Sequence, residues 1–160
     1  MNSETFLLLP LVLLMMAACS GVYSGGDGDD NTFSAFATVD SKGWLYSEPF
    51  EFEPDTLRDS VATGRLLVSV RHGKNYGFSN LWLEVAYDGP DSTVVADTIN
   101  VALADPYGKW LGSGMGLSFQ VSDTLPGAFS IARHRPVRVR HIMRLDTLEG
   151  IERVGIVFIP

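Results

Sequence analysis

The sequence predicts a mainly β protein, an antiparallel β-sandwich of the jelly-roll or immunoglobulin-like type with about eight to nine strands. Apolar residues alternate with polar ones from Thr32 onward, as in strands that bury one face. Turn sequences rich in glycine, proline and aspartate interrupt this alternation at short intervals. No window of the domain keeps the helical spacing of apolar residues. With 160 residues, 46% of them apolar, the chain is long enough for one domain with a buried core.

The strand pattern is clearest in residues 65–71 and 81–87. In the second segment the leucines and Val85 lie on one face and Trp82 on the other, so Trp82 either packs under a second layer or is exposed. The same alternation predicts further strands at residues 33–39, 49–53, 93–104, 117–121, 128–132, 136–144 and 154–159.

The connections between these segments carry turn chemistry. Residues 88–91 (Asp-Gly-Pro-Asp) predict a hairpin between two strands. Residues 105–108 (Asp-Pro-Tyr-Gly) fit a type I turn, with aspartate first, proline second and glycine fourth. Residues 55–62 and 146–151 have room for one turn of helix each.

The N-terminal residues predict a processed and lipidated start. Residues 6–18 are uncharged and almost wholly apolar, which suits a secretory signal and is short for a transmembrane helix. The sequence Met-Ala-Ala before Cys19 resembles a bacterial lipobox, in which the cysteine sulfur receives a diacylglycerol and the new amine a fatty acid such as palmitate. We therefore predict a signal peptide at residues 1–18, a lipidated cysteine and flexible linker at 19–31, and the domain at 32–160.

Charge and cysteine content exclude several classes of site. The formal net charge is -7, so the chain has no basic surface of the kind that binds nucleic acid. With Cys19 as the one cysteine, an intramolecular disulfide and a cysteine-based zinc site are impossible. The acidic cluster of Asp27, Asp29 and Asp30 lacks the glycine and glutamate of an EF-hand loop, so we do not expect calcium.

Catalytic and metal-binding patterns are weak. The sequence contains no Gly-x-Ser-x-Gly, phosphate-binding loop or His-Glu-x-x-His motif. Glu48, Glu51 and Glu53, around Phe50, could supply a carboxylate pair of the glycosidase kind, but Glu51 and Glu53 have the pattern of any solvated strand face. The three histidines, His72, His134 and His141, lack close ligand spacing. We expect no catalytic residue, no metal site and no cofactor.

Five arginines lie between residues 133 and 144, with no acid among them. In a strand over 136–144, Arg138 and Arg140 share a face with Arg144, while His141 and Met143 point with the valines into the core. The run has two interpretations: a solvated strand that discourages edge pairing, or a face that docks an acidic partner. In the second, Arg138 and Arg140 are predicted partner contacts.

Aromatic side chains near the loops also have two interpretations. They either pack in the core or cover the sheets, or they are exposed and contact a sugar or a protein. The residues are Trp44, Trp82, Trp110, Tyr46, Tyr76 and Tyr107.

Several segments, taken in order, resemble a known family. They are residues 75–83 (NYGFSNLWL), 104–114 (ADPYGKWLGSG), 141–144 (HIMR) and 148–151 (LEGI). Behind a lipobox, they resemble the gliding-motility lipoprotein family GldH of the Bacteroidetes, and the likeness covers almost the whole chain.

The resemblance implies a cell-envelope lipoprotein, associated with gliding or the related secretion and adhesin machinery, without enzymatic activity. A lipid on Cys19 would hold it to a membrane, with the outer membrane as the expected location and envelope proteins as partners. In the 104–114 segment a turn and glycines explain most residues, which leaves Lys109 and Trp110 as predicted partner contacts. The alternative is a surface glycan-binding lipoprotein that uses exposed tryptophans.

Overall fold

The computed structural model describes residues 23–25, 31–89, 91–114 and 116–160. The predicted signal peptide, the predicted lipidation site Cys19, and Asp27, Asp29 and Asp30 lie outside the described residues. Among the described residues there is no helix that could span a membrane.

The described chain folds into short strands, and all of their pairings are antiparallel. In chain order they are β1 (Tyr23–Gly25), β2 (Phe33–Thr38), β3 (Trp44–Leu45), β4 (Phe50–Phe52), β5 (Val61–Gly73), β6 (Asn80–Asp88), β7 (Val94–Ala102), β8 (Ser118–Thr124), β9 (Phe129–Ala132), β10 (Val137–His141), β11 (Thr147–Leu148) and β12 (Ile151–Ile159).

Two sheets form the sandwich. The first has the order β1-β2-β12-β5-β8, with β9 paired to another part of β5, and the second has the order β4-β10-β6-β7. The short strands β3 and β11 pair with each other. The inward side chains of the two sheets form one apolar core. Its largest fully buried members include Phe33, Phe52, Leu66, Leu81, Leu83, Ile156 and Phe158. The mainly β antiparallel sandwich predicted from the sequence is confirmed.

Each predicted strand corresponds to an observed one, but three of the shortest observed strands were not predicted. Strands β6 and β7, between which the sequence predicts a hairpin, pair from Asn80↔Ala102 to Asp88↔Val94. The two-residue strands β3 and β11 were not predicted, because two residues are too few to show an alternation. Strand β1 lies within the segment predicted to be a linker, and its backbone pairs with β2.

The two predicted helical turns are wrong. Turns and bends lie within residues 55–60, β5 begins at Val61, and residues 147–148 form β11. A single helical turn gains too few hydrogen bonds to offset the ordering of its backbone, whereas strand pairing satisfies the same groups. Leu57 is buried there and donates its backbone N–H to Pro54 (3.3 Å), which fixes a turn rather than a helix.

Candidate functional site

An open groove lies at the end of the second sheet, where β6 begins and β10 ends. Its volume is about 640 Å³, and its lining includes residues from both of the sequence segments 75–83 and 141–144. The lining residues are Phe78, Asn80, Trp82, Ile142, Met143, Arg144 and Leu145. These segments are far apart in the sequence, so the antiparallel pairing of β6 with β10 is what brings them together.

One wall of the groove forms because β10 ends early. The predicted strand at 136–144 stops at His141, which pairs with Leu83, and residues 143–146 are bends. The Ile142 amide still donates to the Trp82 carbonyl (2.9 Å). The Trp82 amide donates to the Met143 Sδ (3.4 Å) in place of a strand partner.

The early end of β10 corrects the predicted extent of this strand, since Met143 and Arg144 lie beyond its last residue. Met143 was expected to point into the core and Arg144 to share the face of the other strand arginines. Both side chains line the groove next to Trp82, and Met143 is also partly buried and packs against the core. The inward orientation predicted for His141 is confirmed, since it is fully buried.

The groove presents aromatic and aliphatic surface to solvent. Trp82 lies on the outer face of β6 and is 42% exposed, while Phe78 is 40% and Leu145 is 44% exposed. Of the two positions that the sequence allows for Trp82, the structure therefore has the exposed one. Three large apolar side chains that are each about two fifths exposed therefore lie beside one another, which makes the groove a candidate contact site.

Tyr76 supports the floor of the groove from inside. Its side chain is 3% exposed, and its hydroxyl donates to the backbone carbonyl of Asn80 (2.9 Å). Burial raises the pKa of Tyr76 well above its usual range, so the hydroxyl keeps its proton and remains a donor. The ring also packs edge-on against Phe78, with centroids 5.7 Å apart. Gly150 approaches the Tyr76 backbone so closely that a β carbon there would overlap it.

The predicted contact residues Arg138 and Arg140 are paired within their own sheet. Arg138 Nε lies 2.9 Å from the Glu51 Oε1, and Arg140 Nε lies 2.8 Å from the Glu84 Oε1. The members of each pair lie directly opposite each other on neighbouring strands. A hydrogen bond to Glu84 raises the pKa of Arg140, and its guanidinium also lies over a tyrosine ring. Glu51, a member of the possible carboxylate pair, is therefore an ion-pair partner.

The predicted contact residues Lys109 and Trp110 lie in a separate loop. The turn at 105–108 is confirmed: the Gly108 amide donates to the Asp105 carbonyl (3.0 Å), and Asp105 Oδ1 accepts from the Lys109 amide (2.9 Å). Lys109 is exposed, but Trp110 is partly buried. The Trp110 ring packs 4.7 Å from His72, so part of its role is to cover the core.

The three histidines occupy separate environments. His72 is buried in the first sheet and His141 in the second, while the exposed His134 pairs with Asp55 (3.0 Å). Burial lowers the pKa of His141, whose Nε2 donates to the Trp44 carbonyl (3.1 Å). In the described segments no group of three or more His, Cys, Asp or Glu side chains has the arrangement to hold a metal ion.

The sequence analysis identified the two motifs that form the groove, but it did not predict that they meet to form one. Phe78, Ile142 and Leu145 were not singled out. Trp82 gave the strongest available signal, because it is a large apolar residue on the polar face of an amphipathic strand.

Comparisons with known proteins agree with the family resemblance. The family model described as GldH lipoprotein matches residues 31–158. A gliding motility lipoprotein GldH homolog from Christiangramia forsetii is 33% identical over 121 residues, which cover 70% of this chain and 74% of that protein. The gliding motility lipoprotein GldH of Flavobacterium johnsoniae is 29% identical over 130 residues, which cover 77% of this chain and 80% of that protein.

The comparison with solved structures gives a weaker match. The globular domain of zebrafish complement 1qA protein aligns with 82% of this chain and 97% of its own, at a TM-score of 0.42 and 14% identity. The family assignment depends on the family model, whose match extends through both groove segments and most of the sandwich. The chain belongs to the GldH lipoprotein family.

Proposed function

We propose that this chain is a lipid-anchored cell-envelope protein that serves gliding motility or the associated surface secretion machinery. It acts by protein–protein contact and has no catalytic activity. Family membership supports the lipoprotein character, and the names of both curated relatives support the link to gliding.

The anchor in this proposal is a lipid on Cys19. A single acyl chain holds a protein to a membrane only marginally, whereas two or more chains hold it stably. A diacylglycerol plus an amide-linked fatty acid on Cys19 therefore suffices without any basic surface. The proposed location is the outer membrane.

The observation that carries the contact function is the apolar groove. Trp82 and Phe78 expose about two fifths of their surface beside Leu145. Such a patch stabilises a complex when a partner removes it from water, by roughly 25 cal/mol per Å² of apolar area. Large aromatic side chains of this type are the commonest energetic centres of protein interfaces.

The contacts predicted at Lys109, Trp110, Arg138 and Arg140 belong to the proposal as secondary contacts. Lys109 is exposed beside a turn fixed by Asp105, so it can reach a partner without rearrangement of the backbone. Arg138 and Arg140 can meet a partner only together with the acids that they already pair with.

Cross-linking in the native envelope tests the proposal. Tagged wild-type chain, the groove variant Trp82→Ala and the control variant Tyr107→Ala would be compared, since Tyr107 is an aromatic residue that is 96% exposed outside the groove. We expect components of the gliding or secretion machinery among the cross-linked proteins, in reduced yield for Trp82→Ala alone. Absence of such components from wild-type cross-links would refute the proposed function.

One observation favours the glycan-binding alternative. The exposed Trp82 ring lies beside the polar side chains of Asn80 and Arg144, an arrangement that can stack on a sugar and bond its hydroxyls. Titration of the chain with cell-surface polysaccharides, followed by tryptophan fluorescence, separates the two candidates. A saturable change that Trp82→Ala abolishes would favour the glycan-binding module.

A further inference from the structure

Arg144 carries an uncompensated charge in the groove. The other arginines of the 133–144 run have partners: Arg135 contacts Asp88, Arg133 reaches a backbone carbonyl, and Arg138 and Arg140 form the ion pairs described above. Within the described part of the chain, Arg144 has no hydrogen bond or ion pair. It is also the one charged side chain among the groove's lining residues.

An unpaired guanidinium beside apolar surface selects for a carboxylate. The guanidinium presents N–H donors in a planar fork that matches the two oxygens of a carboxylate. An apolar ligand portion that covers the groove excludes water from this pair and strengthens it. The groove therefore favours a ligand that has a large apolar group next to an acid.

The backbone beside Trp82 favours a peptide ligand. Its amide donates to the Met143 thioether, which is a weak acceptor, because β10 has already ended. A peptide carbonyl is a stronger acceptor and can replace the sulfur. The Met143 side chain is flexible enough to move aside and still pack against the ligand.

The same groove is poorly equipped to read a sugar. Recognition of a sugar requires several polar side chains directed at its hydroxyls, and the lining offers two, Asn80 and Arg144. The Asn80 Nδ2 already donates to the Asn100 Oδ1 (2.6 Å), so its donors are partly used. The remaining wall is hydrocarbon, aromatic ring and thioether, which pack against apolar amino-acid side chains without polar partners.

We propose that this groove binds an extended segment of a partner protein, in which a large apolar residue lies next to an aspartate or glutamate. The apolar side chain packs between Trp82 and Leu145, the carboxylate pairs with Arg144, and a backbone carbonyl accepts from the Trp82 amide. The inference rests on the proposed function, since it assigns the kind of protein segment that the contact site takes.

Selection from a displayed library of random dodecapeptides tests the assignment. The bait is the full-length chain in detergent micelles, and the enriched peptides are then synthesised and titrated. We expect enriched peptides to combine Phe, Leu, Ile or Trp with Asp or Glu at adjacent positions. Arg144→Gln should weaken their binding about tenfold, as expected for loss of a charged hydrogen-bond partner. Trp82→Ala should weaken it at least as much.

A matched variant controls for the loss of charge. Arg65→Gln makes the same substitution at an exposed residue of β5, on the other sheet, and should leave the affinity unchanged. Replacement of the acid by its amide in a titrated peptide should lower affinity for wild-type chain and have no further effect on Arg144→Gln. Together, these two comparisons test whether the peptide carboxylate pairs with Arg144.

Three results would overturn the inference: no enriched peptides, enrichment of basic peptides, or equal affinity of Arg144→Gln and wild type. Polysaccharide binding that Trp82→Ala abolishes would assign the groove to a glycan instead. If the wild-type chain still cross-links to the gliding or secretion machinery but no peptide is selected, the inference fails and the proposed function stands. The proposed function fails if wild-type chain gives no such cross-links.

Discussion

Tyr76→Phe removes one hydrogen bond beneath the groove and changes little else. The hydroxyl of this buried residue donates to the Asn80 carbonyl over 2.9 Å. Its loss leaves a partly buried acceptor without a donor, which costs about 1–2 kcal/mol of unfolding free energy. Phenylalanine keeps the ring contact with Phe78, so no large cavity adds to this cost.

Urea unfolding followed by tryptophan fluorescence measures this change. Tyr107→Phe is the matched control, because the hydroxyl of Tyr107 is on a side chain that is 96% exposed, and its removal should change stability by less than about 0.5 kcal/mol. Since the raised pKa of Tyr76 keeps its hydroxyl protonated, the difference should be equal at neutral and mildly alkaline pH. Equal stability of Tyr76→Phe and wild type would refute the supporting role of this bond.

Three further predictions concern contacts around the sandwich and use five substitutions. Burial lowers the folded-state pKa of His141 below its unfolded value, so the folded state binds the added proton less readily than the unfolded state does. Stability should therefore fall as the pH drops below about 6.5. His141→Gln should reduce this fall. Gly108→Ala should cost about 1 kcal/mol for its left-handed backbone, and Gly112→Ala at least about twice as much, because its added carbon would also meet the backbone of β8. Trp110→Ala should destabilise the fold by about 2 kcal/mol because its ring is partly buried, whereas Lys109→Ala should leave stability unchanged and reduce envelope cross-links.

Each of these expectations has its own contrary result. An unchanged acid slope in His141→Gln would mean that this histidine does not set the pH dependence, and His134→Gln, at an exposed site, is its control. Equal losses in the two glycine variants would show that the approach to β8 relaxes without cost. Full retention of cross-links by Lys109→Ala would remove Lys109 from the contact surface.

The strands were predictable because each carries its own alternation. In β6 the odd-numbered residues are buried and Trp82 is exposed, as the sequence pattern requires. Strands β3 and β11 were not predictable, since their two-residue pairing depends on a partner about a hundred residues away. The end of β10 was also hidden, because Met143 and Arg144 continue the alternation of the strand in sequence.

The groove depends on the pairing register of the strands, which cannot be read from the sequence. Arg138 and Arg140 looked like a free basic face until their pairing placed Glu51 and Glu84 opposite them. Arg144 has no such neighbour because the strand has ended. The family motifs identified both groove segments, but only the antiparallel pairing of β6 and β10 shows that they form a single surface.

The central claim is that a lipid on Cys19 holds this domain at a membrane, where its groove meets protein partners. Intact-mass analysis of the chain purified from membranes tests the anchor directly. The predicted result is a polypeptide that begins at Cys19 and carries a diacylglycerol and an amide-linked fatty acid. A full-length chain with an unmodified cysteine would contradict the claim.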